Sequence, residues 1–501
     1  MGKDKSVKIE KWAVAVMLVL GVLFYFVPGE WISIESDSVA YLYARGREGV
    51  LPGYPIFLSF FERLMGKDIF LNGVVIAQSL LAIVCTFIFV IVLQKQFKLK
   101  GWECVLLYVA TMLPFSIYLP ESGITHQIMT EGITYAIFYL YFITILKGVW
   151  ALKIRWYASS LVLAFTLGII RSQMLFLQAI SFMLILWIVF KKKKAGFCRK
   201  GILLICTALI GVMAAFFSYK LIFAITIWDN QRIVAEEDTA TYEEEQAEME
   251  EIESIGGTAE NVYVVRMEQD EMPSQFITII VSRGFFEADK EDVALFEDKM
   301  MKDIFKRAYE LADENGHLYH HIEPSLYMWE DLVYDGMIRY ISQAISEYDL
   351  ENPGERARDS ASISREIGLR ILFKHLDRYL YHVIRLMMPS FIASVFFQIK
   401  PIYLLCHFIA LFIYLFAIIG AVWIVKRNGN RQVCEGTLTT VIFLITMIVV
   451  INMVFIGLQR YVVYGMGIFY CIMYLQIKEL YLINKERIAF LMKKKKQMEK
   501  N

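Results

Sequence analysis

The feature that most restricts the fold of this chain is a series of apolar blocks, each of roughly 20 residues. A helix of that length crosses the hydrocarbon core of a bilayer, which is about 30 Å thick. Long continuous runs are typical of membrane helices and not of the alternating strands of a barrel. The sequence therefore predicts an all-α polytopic membrane protein. We expect ten spans: Trp12–Val27, Ile69–Leu93, Trp102–Leu119, Gly132–Leu146, Trp156–Ile170, Met174–Phe190, Ile202–Trp228, Ile402–Val425, Thr437–Ile456 and Val463–Leu482.

The composition excludes several classes of protein. Hydrophobic residues make up 57% of the chain and charged residues 20%, against about 45–50% and 25% in an ordinary soluble domain. A soluble enzyme, a disordered protein and a secreted disulfide scaffold are therefore excluded. None of the cysteines falls in the two large segments predicted to lie outside the membrane, and no pair has the spacing of a metal site.

Lysine and arginine indicate the orientation of the spans, because cytoplasmic loops carry an excess of both. The segment 191–200 carries six of them, and the tail from Lys478 carries eight, whereas the loop 120–130 carries none. We therefore expect both termini in the cytoplasm. A bacterial plasma membrane is compatible with this pattern.

The predicted spans divide the chain into four parts. These are an N-terminal membrane module (1–228) that contains the first outside segment (28–68), a mainly helical outside insert (229–372), a C-terminal membrane module (373–482), and a basic cytoplasmic tail (483–501). The insert begins with an acidic stretch, which argues against a nucleic-acid partner. Within it we expect a short β-like run at Phe276–Val281, a helical run at Glu291–Glu314 and a polar turn at His317–His321.

Two further segments are predicted to lie along the membrane surface. In the first outside segment, Ser38–Tyr43 and Ile56–Leu64 carry apolar residues at helical spacing, and Pro52–Pro55 separates them. The stretch 371–398 is ambiguous, because counting it as a span would place the basic loop after the next span outside. We interpret its first half as a surface helix and expect Met387–Phe397 to dip into the membrane and return.

Ionisable residues gather at the predicted outer rim of the bundle, where charged groups are costly and are therefore functional candidates. Glu35 and Asp37 follow the first span directly. The other candidates lie in or beside later outside loops: Glu121, His126, Glu131, Arg171 and Arg460. Any reaction centre should face outward.

Four segments of the chain carry a family resemblance: WISIESDSVAYLYAR, PGYPIFLSFFERLMG, HQIMTEGITYAIFYLYF and GLQRYVVYGMGIFY. In these segments the chain resembles the GT-C glycosyltransferases, which take a sugar from a polyprenyl-phosphate carrier, and in particular the protein O-mannosyltransferase and aminoarabinose transferase group (glycosyltransferase family 39-like). An acidic signature and surface helices in the first outside loop, and an outside insert after span seven, match the family in position. The resemblance implies a GT-C-like fold and transfer of a hexosyl or pentosyl group to a glycan, lipid or protein acceptor.

Inverting sugar transfer needs a carboxylate that takes a proton from the attacking hydroxyl, and positive charge that stabilises the departing phosphate. Asp37 is our candidate for the base, with Glu35 as a second carboxylate. Arg460 and Arg171 are candidates for binding the donor phosphate, and Glu131 has a supporting polar role. Alternatively, Asp37 caps a helix, the arginines extend to lipid headgroups, and Glu131 stabilises a helix N-terminus.

A divalent metal ion is the one cofactor that we consider. Glu35, Asp37 or His126 would be its ligands, with Glu121 beside His126. Carboxylates and imidazoles are suitable ligands for such an ion.

Two other functions remain open. A lipid-linked glycan polymerase or ligase is also multi-spanning with a large outside loop, and depends on arginines and a histidine. A transporter or flippase would show repeats and charge near the membrane midplane. The sequence has no visible repeat and its charges lie at the predicted rim, which makes this function less favoured without excluding it.

Overall fold

The computed structural model of the 501-residue chain is all-helical in the part that it describes. The described residues are 9–27, 31–34, 38, 41–42, 51–118, 123–192, 283–322, 337–352, 360–454 and 462–498. Within these ranges the β structure is limited to an isolated parallel bridge between Ser33 and Gln127.

The described ranges contain fourteen α-helices, numbered here in chain order. They are α1 (Lys11–Phe26), α2 (Gly53–Met65), α3 (Phe70–Phe97), α4 (Gly101–Tyr118), α5 (Thr130–Ala151), α6 (Ile154–Ile170), α7 (Phe176–Lys192), α8 (Lys299–Glu314), α9 (Met337–Glu351), α10 (Ser360–Lys374), α11 (Leu376–Ala393), α12 (Tyr403–Lys426), α13 (Arg431–Val454) and α14 (Met466–Met498). Short 3-10 turns lie at Ser172–Leu175, Lys290–Leu295, Tyr319–His321, Lys400–Ile402 and Val463–Gly465.

Within the described part of the chain, five helical segments are long and apolar enough to cross a membrane, as expected of a membrane protein. They are Phe70–Phe97, Thr130–Ala151, Tyr403–Lys426, Arg431–Asn452 and Val463–Met492. Four shorter apolar helices, α1, α4, α6 and α7, coincide with further predicted spans. The predicted span Ile202–Trp228 lies outside the described residues. The number of ten spans and their GT-C-like arrangement stay predictions.

The N-terminal and C-terminal helices pack into one bundle. Helix α3 contacts α1, α2, α4 and α5, while α4 packs against α14 and α5 against α13. One apolar cluster runs through these contacts and includes buried residues of both halves, such as Phe89, Phe138 and Phe443. The helices therefore bury their aromatic faces against each other.

Pro114 lies inside α4 and lacks the amide that would donate to the Ala110 carbonyl oxygen, and α5 approaches the backbone next to this position. The hydroxyls of Tyr135 and Tyr139 donate to the Thr111 carbonyl oxygen over 2.7 Å and 3.1 Å. Gly467 allows α14 to approach at the same place, since an added Cβ would lie 3.1 Å from the Ala110 carbonyl oxygen.

Helix α2 confirms the predicted helix at Ile56–Leu64, which begins earlier, at Gly53. Tyr54 and Leu58 are buried against the bundle. Ile56, Phe60 and Leu64 recur every four residues and are exposed. An exposed apolar stripe of this kind suits the membrane interface that the sequence predicts for this helix.

The insert has a core of its own, formed by residues from α8, α9 and α10 with Phe285, Phe286 and Phe296. The predicted run Glu291–Glu314 is divided into the 3-10 turn Lys290–Leu295 and α8. The reason is Phe296, which is buried in an extended conformation (φ −105°, ψ 134°) and breaks the helical path. The predicted β-like run 276–281 lies outside the described residues.

The ambiguous stretch 373–398 forms α11, which follows α10 after a break at His375. Helix α11 packs against α12 and α13, and carries Asp377, Arg378 and Arg385. It is thus a charged helix joining the insert to the C-terminal spans.

Candidate functional site

A buried ion pair joins two of the residues predicted to lie at the outer rim. The Nη1 atom of Arg171 lies 2.5 Å from Oε2 of Glu131, and the two side chains are 8% and 2% exposed. Arg171 follows the last residue of α6 in an extended conformation, and Glu131 lies in the first turn of α5. Because the loop between α5 and α6 is very short, the two helices are antiparallel neighbours and these ends meet.

Polar neighbours fix the Arg171 guanidinium. Its Nη1 donates to the Thr130 hydroxyl over 2.7 Å, and its Nε donates to Oε1 of Gln173 over 2.5 Å. The Thr130 hydroxyl in turn donates to Glu131 over 3.1 Å. A buried charge is tolerated when it is paired and hydrogen-bonded in this way, and Glu131 also gains from the positive end of the helix dipole.

The first outside segment packs directly against this end of the bundle. A Cβ added at Gly53 would lie 2.8 Å from the Ile169 carbonyl oxygen and 2.9 Å from Cα of Ile170, which precedes Arg171. Glycine is therefore required for the start of α2 to approach the end of α6.

The same segment is also held by the loop before α5. The Ser33 amide donates to the His126 carbonyl oxygen, and the Ile128 amide donates to the Ser33 carbonyl oxygen, both over 3.0 Å. The buried amide of Gln78 donates to the carbonyl oxygens of Thr125 and Gln127. Gln78 Oε1 accepts a hydrogen bond of 2.9 Å from the Tyr54 hydroxyl of α2.

His126 is fully buried within this region and serves as a hydrogen-bond donor. Its Nε2 lies 2.9 Å from the Tyr25 carbonyl oxygen. Since a carbonyl oxygen only accepts, Nε2 carries the proton. The ring also packs edge-on against Trp31 at 5.2 Å. His126 thus ties the loop to the end of α1, and its role as a metal ligand stays a prediction.

Four of the candidate residues, Glu35, Asp37, Glu121 and Arg460, lie outside the described part of the chain. The described neighbours of the acidic pair in sequence, Ser33 and Ser38, are both buried. Of the predicted site, the structure brings together Arg171 and Glu131, with His126 on the segment leading into α5.

A second group of charged residues, at the junction of the insert and α11, was not found from the sequence. His382 hydrogen-bonds through Nδ1 to Glu287, which is 1% exposed. Arg378 Nη1 lies 2.9 Å from Oδ2 of Asp289, and Lys374 pairs with the buried Asp292. A signal does exist in the sequence, because Arg378 and His382 are four residues apart and therefore share one face of α11.

The environments of these carboxylates differ. Burial raises the pKa of Glu287, although its neighbour His382 opposes that effect. Burial also opposes ionisation of Asp289, but hydrogen bonds from Tyr319 and Arg378 outweigh it and lower the pKa of Asp289. Arg378 also stacks over the Tyr319 ring at 4.5 Å. The group fixes the start of α11 on the insert.

In the described residues, the fold is that of an all-helical membrane protein with a buried Arg171–Glu131 ion pair and a partly buried group of charged side chains where the insert meets α11. Comparison of the chain with protein-family models, curated proteins and solved structures found no match.

Proposed function

We propose that this protein is a membrane glycosyltransferase that moves a sugar from a polyprenyl-phosphate donor to an acceptor at the outer face of the membrane. One observation carries the proposal. The first outside segment, which contains Glu35 and Asp37 in its sequence, is anchored at both Ser33 and Gly53 to the bundle end that holds Arg171 and Glu131.

In the proposed reaction, Asp37 takes the proton of the acceptor hydroxyl as that oxygen attacks the anomeric carbon. The bond between the anomeric carbon and the phosphate oxygen breaks, and the phosphate leaves with the electron pair. Arg171 and Arg460 stabilise its charge, because a guanidinium binds phosphate oxygens through two parallel hydrogen bonds. Attack opposite the leaving group inverts the anomeric configuration.

Glu131 has a defined part in this proposal. It holds the Arg171 side chain at the start of α5 through a contact of 2.5 Å. The Arg171 guanidinium is therefore held in one orientation before a phosphate arrives. Glu131 is therefore a positioning residue that orients the arginine before the donor arrives.

The test is transfer of radiolabelled sugar by the purified full-length protein. Donors are polyprenyl phosphates carrying glucose, mannose, galactose or arabinose, with crude cell envelope as the acceptor. We expect Asp37→Asn to lower transfer by about 100-fold or more, the usual contribution of a general base. Asp68→Asn removes an exposed carboxylate from the same outside segment and should leave transfer unchanged.

Absence of transfer from every donor by the wild-type protein would refute the proposal. Flux of lipid or solute in liposomes would then indicate the transporter class. Equal transfer by wild type and Asp37→Asn would retain the enzyme and remove its proposed base.

A second candidate function, a polymerase or ligase of lipid-linked glycans, is favoured by a different observation. His382, Arg385 and Glu287 are all buried where α11 meets the insert, and His382 is hydrogen-bonded to Glu287. An imidazole oriented by a carboxylate suits proton transfer. Loss of glycan polymers in His382→Gln, with transfer intact in Asp37→Asn, would favour this class.

A further inference from the structure

The insert contains a cluster of two imidazoles and a carboxylate that the proposed transfer reaction does not use. Asp313 lies in the last turn of α8, and His320 and His321 lie in the 3-10 turn that follows. The chain reverses at Gly316, which has a positive φ of 69° and therefore favours glycine. Leu318 is fully buried and anchors the reversed segment in the insert core.

Both imidazoles converge on a single carboxylate oxygen. The Nε2 atoms of His320 and His321 lie 2.9 Å and 2.7 Å from the same Oδ1 of Asp313. Successive residues of a 3-10 turn point about 120° apart, since the turn has three residues. The two side chains nevertheless turn toward one point, with ring centroids 4.3 Å apart.

The charge and dimensions of the cluster suit a divalent cation. The Asp313 carboxylate supplies the negative charge, and both imidazoles lie within hydrogen-bond distance of it. One ligand atom from each of the three residues lies within 4.8 Å of the others. Zinc–nitrogen and zinc–oxygen bonds are about 2.0–2.2 Å long, so a small movement of the side chains brings all three onto one ion.

A second cluster in the described part of the chain shows what distinguishes this one. Asp289, Asp292 and His375 also bring their ligand atoms within 4.8 Å of each other. There, however, Lys374 pairs with Asp292, and Arg378 pairs with Asp289. These internal cations already neutralise the carboxylates, and a metal ion would have to displace them.

No lysine or arginine of the described residues pairs with Asp313. The three side chains are 36–42% exposed, so an ion reaches them from solvent without any opening of the fold. Neutral imidazoles with one carboxylate are ligands that zinc, copper and nickel accept well.

We propose that Asp313, His320 and His321 form a binding site for a divalent transition-metal ion of the zinc class, with water completing its coordination. The ion ties the turn that carries both histidines to the end of α8. This site is independent of the proposed sugar transfer.

The experiment uses the full-length protein in detergent, without a histidine tag and after treatment with a chelator. Zn²⁺ is titrated against it by calorimetry, and thermal unfolding is followed with and without Zn²⁺. We expect one equivalent of Zn²⁺ to bind and to raise the unfolding temperature. Changes around metal ligands cost about 10–100-fold in affinity, so His320→Ala and Asp313→Asn should each weaken binding at least about 10-fold.

Two variants serve as matched controls. His317→Ala removes the third imidazole of the same segment, whose Nδ1 lies 2.8 Å from the Tyr340 hydroxyl. His375→Gln alters the other cluster, and both variants should bind Zn²⁺ like the wild type. The proposal is overturned if the wild type binds no Zn²⁺, if His320→Ala and Asp313→Asn bind it equally well, or if His375→Gln alone loses it.

Discussion

Replacing Glu131 by glutamine removes the charge that faces Arg171 and keeps a side chain of nearly the same size. The two charged groups are in direct contact and almost fully buried. Unit charges about 4 Å apart attract by about 4 kcal/mol at an effective dielectric constant of about 20. Breaking a buried pair from one side costs about 3–5 kcal/mol, because the remaining charge is left uncompensated. We expect Glu131→Gln to lower the free energy of unfolding by about 3 kcal/mol or more.

The double-mutant cycle separates the pair from the rest of the site. Arg171→Gln alone should cost a similar amount, whereas the double variant leaves no buried charge. Its loss should therefore be smaller than the sum of the two single losses by about 2 kcal/mol, within the range for contacting residues. Unfolding in mixed micelles is followed by the fluorescence of the nine tryptophans.

A matched control shows that loss of a glutamate charge is not costly in itself. Glu297 is exposed, and Glu297→Gln should change stability by less than about 0.5 kcal/mol. The prediction is wrong if the stability loss of the double variant equals the sum of the two single losses within about 0.5 kcal/mol. That result would show that the two charges do not stabilise each other.

Two further predictions concern the first outside segment and the insert. Gly53→Ala should destabilise the protein by about 1–3 kcal/mol, because the added Cβ meets backbone atoms of Ile169 and Ile170. Gly436→Ala is the control in the same unfolding assay and should be tolerated, because its added Cβ has no neighbour closer than 3.4 Å. Folding lowers the pKa of Asp289, so the ionised Asp289 carboxylate stabilises the folded protein. This stabilisation is present above the ordinary Asp pKa of about 3.9 and is lost as the pH falls through the pKa of Asp289 in the folded protein. Unfolding measured against pH should show this loss below about pH 4 in the wild type and a smaller one in Asp289→Asn; identical profiles would contradict the assignment.

The helices of the bundle could be predicted from the sequence because each apolar block is long enough to determine its own structure. The pairing of Arg171 with Glu131 could also be predicted from the sequence. Both residues are candidates for the site. Because the connection between α5 and α6 is short, the two helices are antiparallel and their far ends meet.

Other features depend on the packing of distant segments. His382 and Glu287 are 95 residues apart, and no local pattern links them before the insert core forms. The break before α8 arises because burial of Phe296 outweighs the helical tendency of its neighbours. Asp313 and the two histidines, by contrast, are only seven and eight residues apart. The sequence predicts a turn here, but it does not show that both imidazoles point to the Asp313 carboxylate.

The position of Gln78 implies a coupling between ligands. This one buried side chain is bonded to Tyr54 of α2 and to the backbone of the loop that leads into Glu131. A molecule that displaces α2 must stretch or break these bonds, and thereby shifts the start of α5. Two molecules bound at α2 and at Arg171 would consequently alter each other's affinity by the same factor. If one is a donor lipid and the other an acceptor, the hydrogen bonds of Gln78 make the affinity for each depend on the presence of the other.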